Sequence, residues 1–431
     1  FFFGHIMGTP AATDLRPNGL ACDFSDIVLA HHRIQSGIVE TPVRHSAVLS
    51  ELTGGDVWLK LEHLQQSGSF KERGARNALM NLTDEEKAIG VIAASAGNHA
   101  LAMAYHGRDL GIPVAVVMPT TAPLTKVNNC RKYGANVMLH GNHIGEAYEH
   151  AVEIVKEKGY TYINGFDHPN IVAGAGTCGI EMIRQVPGAD YIVVPVGGGG
   201  LIAGIAMSAK ALCPSIQIIG VEPENAASLT AALAAGKPVK ANVKPTLADG
   251  LAVPMVGANS FEIIRKYVDK VVLISEDDVA RAVLNLMESQ KMVVEGGGAV
   301  GVAAILSGKL PELQGKKVIV PLCGGNIDAP VIGRVIQRGL AHECRLVRFS
   351  VIVDDKPGGL AGIALAIAQA GANVIDVRHE RAWLRQSFAK VQNNYIIEVR
   401  NQEHMEEVRS ALTDAGYQME WDIPMKQAAK L

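Results

Sequence analysis

What this chain lacks narrows its function before any motif is read. It has no excess of either charge, 40 basic residues against 43 acidic over 431 positions, so no strong field points to nucleic acid or an anionic membrane surface as a partner. Its cysteines are few, six in all, at positions 22, 130, 178, 213, 323 and 344, and none forms a C-x-x-C pair. That pattern argues against a disulfide framework or a thiolate zinc site and fits a reducing cytoplasm. The opening "FFFGHIMGTP" lacks the basic region, long apolar stretch and cleavage site of a secretory signal. Residues 1–10 therefore read as a remnant outside the fold. The run "YIVVPVGGGGLIAGIAMSA" at 191–209 is uncharged and long enough to suggest a membrane span. Its proline and four consecutive glycines instead mark a buried strand, a turn and a helix.

What is present is organised. From residue 56 onward, short apolar runs ("VWLKLE", "VIAAS", "VAVVMP", "NVMLH", "YTYING", "YIVVPV", "IQIIGVE", "KVIVPLC") alternate with segments of helix length such as 98–110, 144–158 and 201–212. Repeated β-then-α order with runs apolar throughout implies parallel strands covered by helices on both faces. In such open sheets ligands gather beyond the C-terminal strand ends. Near residue 341 the grammar changes. "LVRFSVIV", "LAGIALAIAQAG", "NVIDVRHE", "NNYIIEVR", the helix at 403–415 and "YQMEWD" spell β-α-β-β-α-β, a small ferredoxin-like unit, with "RGLAHECRL" as the linker.

Four stretches stand at predicted strand ends. The first, "QQSGSFKERGARNAL" at 65–79, places Lys71 in the opening turn of a helix beside Phe70. Ser69 and Glu72 have the S-x-x-E spacing of a capping box, and a well-capped helix is the plain reading. A lysine there meets the positive end of the helix dipole, which disfavours its proton and makes the amine a nucleophile. The second, "AASAGNHALAMA", sets a turn of small residues, Ser95, Ala96 and Gly97, before Asn98 and His99 at a helix start, a seat for a carboxylate. His99 by itself reads as structural and is given no acid–base role. The third, "PVGGGGLIAG", follows a strand and opens a helix, so its four glycines, Gly197, Gly198, Gly199 and Gly200, can aim amides at a phosphate. The fourth, "VIVPLCGGNIDAP", puts Cys323 before a Gly-Gly turn, where a buried packing cysteine is the alternative.

The third stretch also has a rival reading. Gly198, Gly200 and Ala203 satisfy G-x-G-x-x-G/A, and Glu222 ends the next strand as a ribose-binding acid would. A nicotinamide-dependent dehydrogenase explains those two features, but it leaves Lys71 and the asparagine loop without a role. A non-catalytic amino-acid sensor is a further alternative.

Taken together, "SGSFKERGA", "SAGNHA", "GGGGL" and "CGGN" resemble the serine/threonine dehydratase family of pyridoxal-phosphate enzymes, of fold type II, over roughly residues 20–340. "DDKPGGLAGIALAIAQAGANV" resembles an ACT regulatory domain, which makes the ACT-domain-containing threonine dehydratases the nearest branch. The resemblance implies an α/β fold with two-lobed open sheets, tryptophan synthase β-like, plus a C-terminal ferredoxin-like ACT domain. It implies a catalytic domain at 11–340, with a small lobe about 89–167, and an ACT-like regulatory domain at 346–431. In this family Lys71 would bind pyridoxal 5'-phosphate covalently and take the α-proton, with Phe70 beside the ring. Asn98 would meet the phenolic oxygen, Gly197 to Leu201 the phosphate, and Cys323 the pyridine nitrogen. Ser95, Ala96, Gly97, Asn98 and His99 would receive the substrate carboxylate, and "ADGL" at 248–251 resembles a family loop near the cofactor.

The implied reaction is α,β-elimination from L-threonine, and from L-serine, to a 2-oxo acid and ammonia. A serine- or 3-hydroxyaspartate-preferring dehydratase is the alternative within the chemistry. Ala96 stands where racemases of the family carry a second serine, so elimination is expected to dominate. "EPENAAS" departs from the family's metal motif E-P-x-N-A-x-D, leaving Glu222, the Ala226 carbonyl and Ser228 as a weakened divalent or monovalent cation site, or an ordinary turn. Gly358, Leu360 and Asn373 match the effector turn of the regulatory unit, for an amino acid such as isoleucine or valine. A homodimer or homotetramer is the implied assembly.

Overall fold

The computed structural model describes residues 19–383 and 387–422. The remnant reading of residues 1–10 lies outside them. The chain forms two compact units, one up to Ala329 and one from Pro330 on.

The first unit contains two parallel open sheets. The larger has the strand order Val43–His45, Asp56–Lys60, Lys317–Pro321, Tyr191–Pro195, Gln217–Pro223 and Lys270–Ile274, all parallel except the first pair. The smaller runs Asn136–Leu139, Val114–Met118, Val91–Ala94 and Thr161–Tyr162, parallel throughout. Central strands such as Val114–Met118 are buried at every position, so the runs are continuously apolar rather than alternating. Two edge strands absent from the sequence reading complete the larger sheet. Val43–His45 is too short to stand out, and Lys270–Ile274 is only half covered, with an exposed lysine at its start.

The helix Lys71–Met80 lies against Pro169–Gln185. A Cβ on Gly174 would stand 2.7 Å from the Gly74 Cα, so glycine permits this close approach. The helix does not start as the S-x-x-E spacing suggests. Phe70 is its cap residue, with no side-chain cap bond. Ser69 is instead held in a β-bridge to Gly324, and its buried hydroxyl has no partner. Glu72 turns inward, accepting from the Ser67 amide and standing 3.3 Å from the His106 Nε2. The tertiary bridge overrides the local box.

The division between the units falls at the first residue of the helix Ala329–His342, which takes in residues 338–342 of the stretch read as a linker. An antiparallel sheet follows in the order Asn373–Glu380, Lys390–Glu398, Leu346–Asp354, Met419–Asp422. With the helices Gly359–Gln369 and Gln402–Asp414 it has the β-α-β-β-α-β order of a ferredoxin-like unit. Phe349, Tyr395, Ile363, Ile367, Val408 and Leu412 build its core. Among the described residues no helix is long and apolar enough to cross a membrane.

Candidate active site

The four stretches converge because each follows the C-terminal end of a parallel strand in one unit. Backbone hydrogen bonds lace the lysine loop to the cysteine loop: His63 N to Leu322 O at 2.8 Å, Phe70 N to Cys323 O at 3.0 Å and Gly325 N to Gly68 O at 2.9 Å. Asn326 Nδ2 adds a bond to Ser67 O at 2.7 Å.

Lys71 is the first residue of its helix, half-buried as a residue, with its Nζ 5.2 Å from the Phe70 ring centre. Nζ donates to the Gly165 carbonyl at 2.6 Å. Burial pulls the amine down to about 8, against the opposing influence of Cys323 and Glu295. An amine with that pKa is neutral in on the order of a tenth of molecules at pH 7, against less than about a thousandth for an ordinary lysine. The rate of covalent cofactor capture by cofactor-free protein should therefore rise about tenfold per pH unit below 8 and level off above it. Stopped-flow absorbance across pH 6–9 measures this, and a rate still climbing beyond pH 9 would show an unperturbed amine.

The glycine cradle is shaped by exclusion. Gly199, at φ +95°, turns the chain into the uncapped helix Gly200–Leu212. A Cβ on Gly198 would enter the Phe166 ring, one on Gly200 would enter the Phe166 carbonyl, and one on Gly197 would meet the Leu251 Cα at 3.0 Å. The cradle leaves room only for backbone, and its amides open a 13-residue helix, a seat for a dianionic phosphate. Gly200→Ala should weaken cofactor binding at least about tenfold, because the obstacle is a carbonyl rather than a movable side-chain tip. Equilibrium titration of the visible band reads that change. Leu251 belongs to the "ADGL" stretch, which thus lies against the cradle.

The asparagine loop opens the helix Asn98–Leu110, whose cap residue, Gly97, has open space where a Cβ would stand. Gly97 N donates to Ser95 Oγ at 3.2 Å, folding the turn. Ala96 carries no hydroxyl. His99 bonds the Ile163 carbonyl through Nε2 at 3.1 Å, and burial together with the Lys71 charge pulls it down to about 3. It is a neutral, structural ring. Cys323 is buried, its Sγ 3.4 Å from Pro321 O, and burial holds the thiol far above its usual range. A neutral thiol stands at that strand end.

One residue of the site escaped the sequence reading. Glu295, the cap residue of the helix Gly296–Leu306, accepts from Asn98 Nδ2 at 2.6 Å. Burial and then Asp249 push its carboxyl up to about 7. The signal was there in "VVEGGGAV", an acid before three glycines at a helix start, but no strand precedes it.

The Glu222 carboxylate accepts from Leu229 N at 2.7 Å, Thr230 N at 2.9 Å and Thr230 Oγ1 at 2.7 Å, and so acts as a cap for the helix Ser228–Ala235. Its part in starting that helix gives the residue a structural role that needs no ribose, which counts against the dehydrogenase reading. Ala226 is buried nearby in sequence, and the buried Ser228 hydroxyl has no partner. In the second unit Gly358, at φ +92°, and Leu360 line a surface cavity of about 350 Å³ with Asp355, Lys356, His379 and Arg381. Asn373, exposed at the start of its strand, is not part of that lining.

The family described as "Pyridoxal-phosphate dependent enzyme" matches residues 34–324. The chain belongs to this family. The L-threonine ammonia-lyase of Thermotoga maritima is 43% identical over 398 residues, 92% of this chain and 98% of that protein. Threonine deaminase isoform 2 from Solanum lycopersicum superposes with a TM-score of 0.70 at 36% identity, over 73% of this chain and 93% of that one. Serine racemase from Dictyostelium discoideum gives 0.68 at 36% identity, over 71% and 99%. In this pyridoxal-phosphate enzyme the residues present fit the cofactor: a desolvated amine, a backbone-only cradle at a helix N-terminus, and a neutral thiol one strand away.

Proposed function

We propose that the chain is an L-threonine ammonia-lyase, converting L-threonine to 2-oxobutanoate and ammonia by α,β-elimination, and L-serine to pyruvate. The observation that carries this is the desolvated Lys71 amine, held by the Gly165 carbonyl and joined in one unit to the asparagine loop and glycine cradle. Pyridoxal phosphate, when bound, supplies an aldehyde for amine exchange and an electron sink for charge left at the α-carbon.

This chain's own residues do the rest. The Gly197–Leu201 amides seat the phosphate, and Phe70 flanks Lys71. The substrate carboxylate is received at the N-terminus of Asn98–Leu110, with Ser95, Ala96, Gly97 and His99 shaping the turn. Lys71 Nζ takes the α-proton, being neutral in a useful fraction near pH 7. The uncharged Cys323 thiol would hold the ring nitrogen of bound pyridoxal phosphate without offering it a carboxylate partner, and the cofactor would then supply a weakened electron sink suited to loss of the β-hydroxyl. Ala96 offers no proton donor for the opposite face, which supports elimination over the racemisation named for the Dictyostelium relative.

The second unit binds an amino-acid effector such as isoleucine or valine in this reading, with Gly358 and Leu360 on its cavity, and a cytoplasmic homodimer or homotetramer is the working assembly. Purified protein should be yellow, with a band abolished by borohydride and the reduced cofactor mapped to Lys71. Steady-state rates should rank L-threonine above L-serine and 3-hydroxyaspartate. Absence of the band under saturating cofactor overturns the reading, and preference for 3-hydroxyaspartate overturns its substrate.

A further inference from the structure

The Asn98 side chain has an orientation that can be deduced by counting donors. Asn326 Nδ2 donates to the Ser67 carbonyl, which can only accept, and also to Asn98 Oδ1 at 2.9 Å. Both N–H groups of Asn326 are thereby engaged, so the Asn98 oxygen faces Asn326 and its nitrogen faces Glu295 Oε1, 2.6 Å away. A primary amide has two N–H groups, and Glu295 takes one. One donor of Asn98 stays uncommitted.

The four partners come from four separate segments: the lysine loop (Ser67), the asparagine loop (Asn98), the helix cap (Glu295) and the cysteine loop (Asn326). Glu295 is itself fixed, since its backbone amide donates to Gly324 O at 2.9 Å and its own helix starts there. A Cβ on Gly324 would overlap the Glu295 carboxylate, so this glycine keeps the acid in place beside Asn98. A neutral isostere in the opposite sense, with the Asn98 oxygen turned into the site, would offer an acceptor to an oxygen that is itself an acceptor.

We propose that Glu295 is a positioning residue of the elimination, holding the Asn98 amide so that a donor, not an acceptor, is offered to the phenolic oxygen of bound pyridoxal phosphate. The inference rests on the function proposed above. It assigns Glu295 no contact with substrate, so its effect must pass through Asn98.

The test compares the full-length holoenzyme as wild type, Glu295→Ala, Glu295→Gln, Asn98→Ala and the Glu295→Ala/Asn98→Ala double variant. Three readings are taken for each: the visible absorption maximum, the pyridoxal phosphate dissociation constant, and kcat and KM for L-threonine. Glu295→Ala should shift the visible band in the same direction as Asn98→Ala, weaken cofactor binding and lower kcat about tenfold, with KM changed less than about twofold. Glu295→Gln keeps a carbonyl acceptor and should recover most of the band and of kcat. The double variant should be no worse than Asn98→Ala alone, because residues acting through one another are not additive. An unchanged band and kcat in Glu295→Ala, or losses that simply add in the double variant, overturn the proposal. If Glu295→Ala folds poorly by circular dichroism, Glu295→Asp, which withdraws the carboxylate by one methylene, carries the same expectations. A wild-type protein without any visible band would sink the proposed function itself; a normal wild-type band that ignores Glu295 sinks only this inference.

Discussion

Lys71→Ala protein is expected to lose at least about 10⁴-fold in L-threonine turnover while keeping its fold. The amine carries two tasks in the proposed reaction, covalent attachment and removal of the α-proton, and among the described residues no second amine is bonded at the site: the other lysine drawn into its electrostatics, Lys126, is paired with Asp249 at 3.1 Å. The fold should survive because the side chain makes a single hydrogen bond, to the Gly165 carbonyl, and burial already disfavours its charge. Thermal unfolding of the cofactor-free variant is expected to match or slightly exceed wild type, the usual relation between a desolvated functional group and stability. Turnover within a hundredfold of wild type would place the chemistry on another residue.

The second large effect concerns stability. Arg73, two residues beyond Lys71 and fully buried, bonds Glu62 through Nε and Nη2, each at 2.7 Å, and Glu181 through Nη1 at 2.6 Å and Nη2 at 2.7 Å. Lys60, also fully buried, pairs with Glu181 and donates to the Thr41 carbonyl at 2.6 Å. Two cations face two anions, with Thr41 and Thr177 hydroxyls filling remaining positions. Removing one member leaves a buried charge without its counterion, so Glu181→Ala should cost about 3–5 kcal/mol. The urea midpoint of the cofactor-free protein measures it. The variant should also loosen the helix that starts at Lys71, and so weaken cofactor binding.

The same quartet sets an acid limit. Burial alone would raise Glu62, but the Arg73 guanidinium and Lys60 outweigh it and hold the carboxyl down at about 2. Its folded pKa is depressed, so its contribution is complete above the unfolded value near 4.5 and is lost as pH falls from there toward 2. Glu62→Gln should flatten the stability curve in that window, and a variant curve parallel to wild type there would refute the assignment.

Much of this was legible beforehand. The alternation of apolar runs with helical segments gave the parallel sheets, and the glycine punctuation marked the strand ends where Lys71, Asn98, Gly197–Leu201 and Cys323 now meet. The failures share one cause. Ser69 and Glu72 have capping-box spacing, yet Gly324, about 250 positions away, captures the Ser69 backbone. Glu222 sits where a ribose acid would, yet its carboxylate accepts from the opening amides of a neighbouring helix. Glu295 and Asn326 hold Asn98 from segments more than 190 residues distant, and spacing carries no trace of such pairs.

The sequence by itself determined which residues stand at strand ends, because hydrophobic period and turn chemistry are local properties of the chain. Only the tertiary structure decided which of them meet, how far burial lowers the Lys71 amine and raises the Glu295 carboxyl, and that Phe166 and Leu251 leave the cradle to backbone alone. Desolvation and close packing depend on what surrounds a group in space, and those neighbours come from distant parts of the chain.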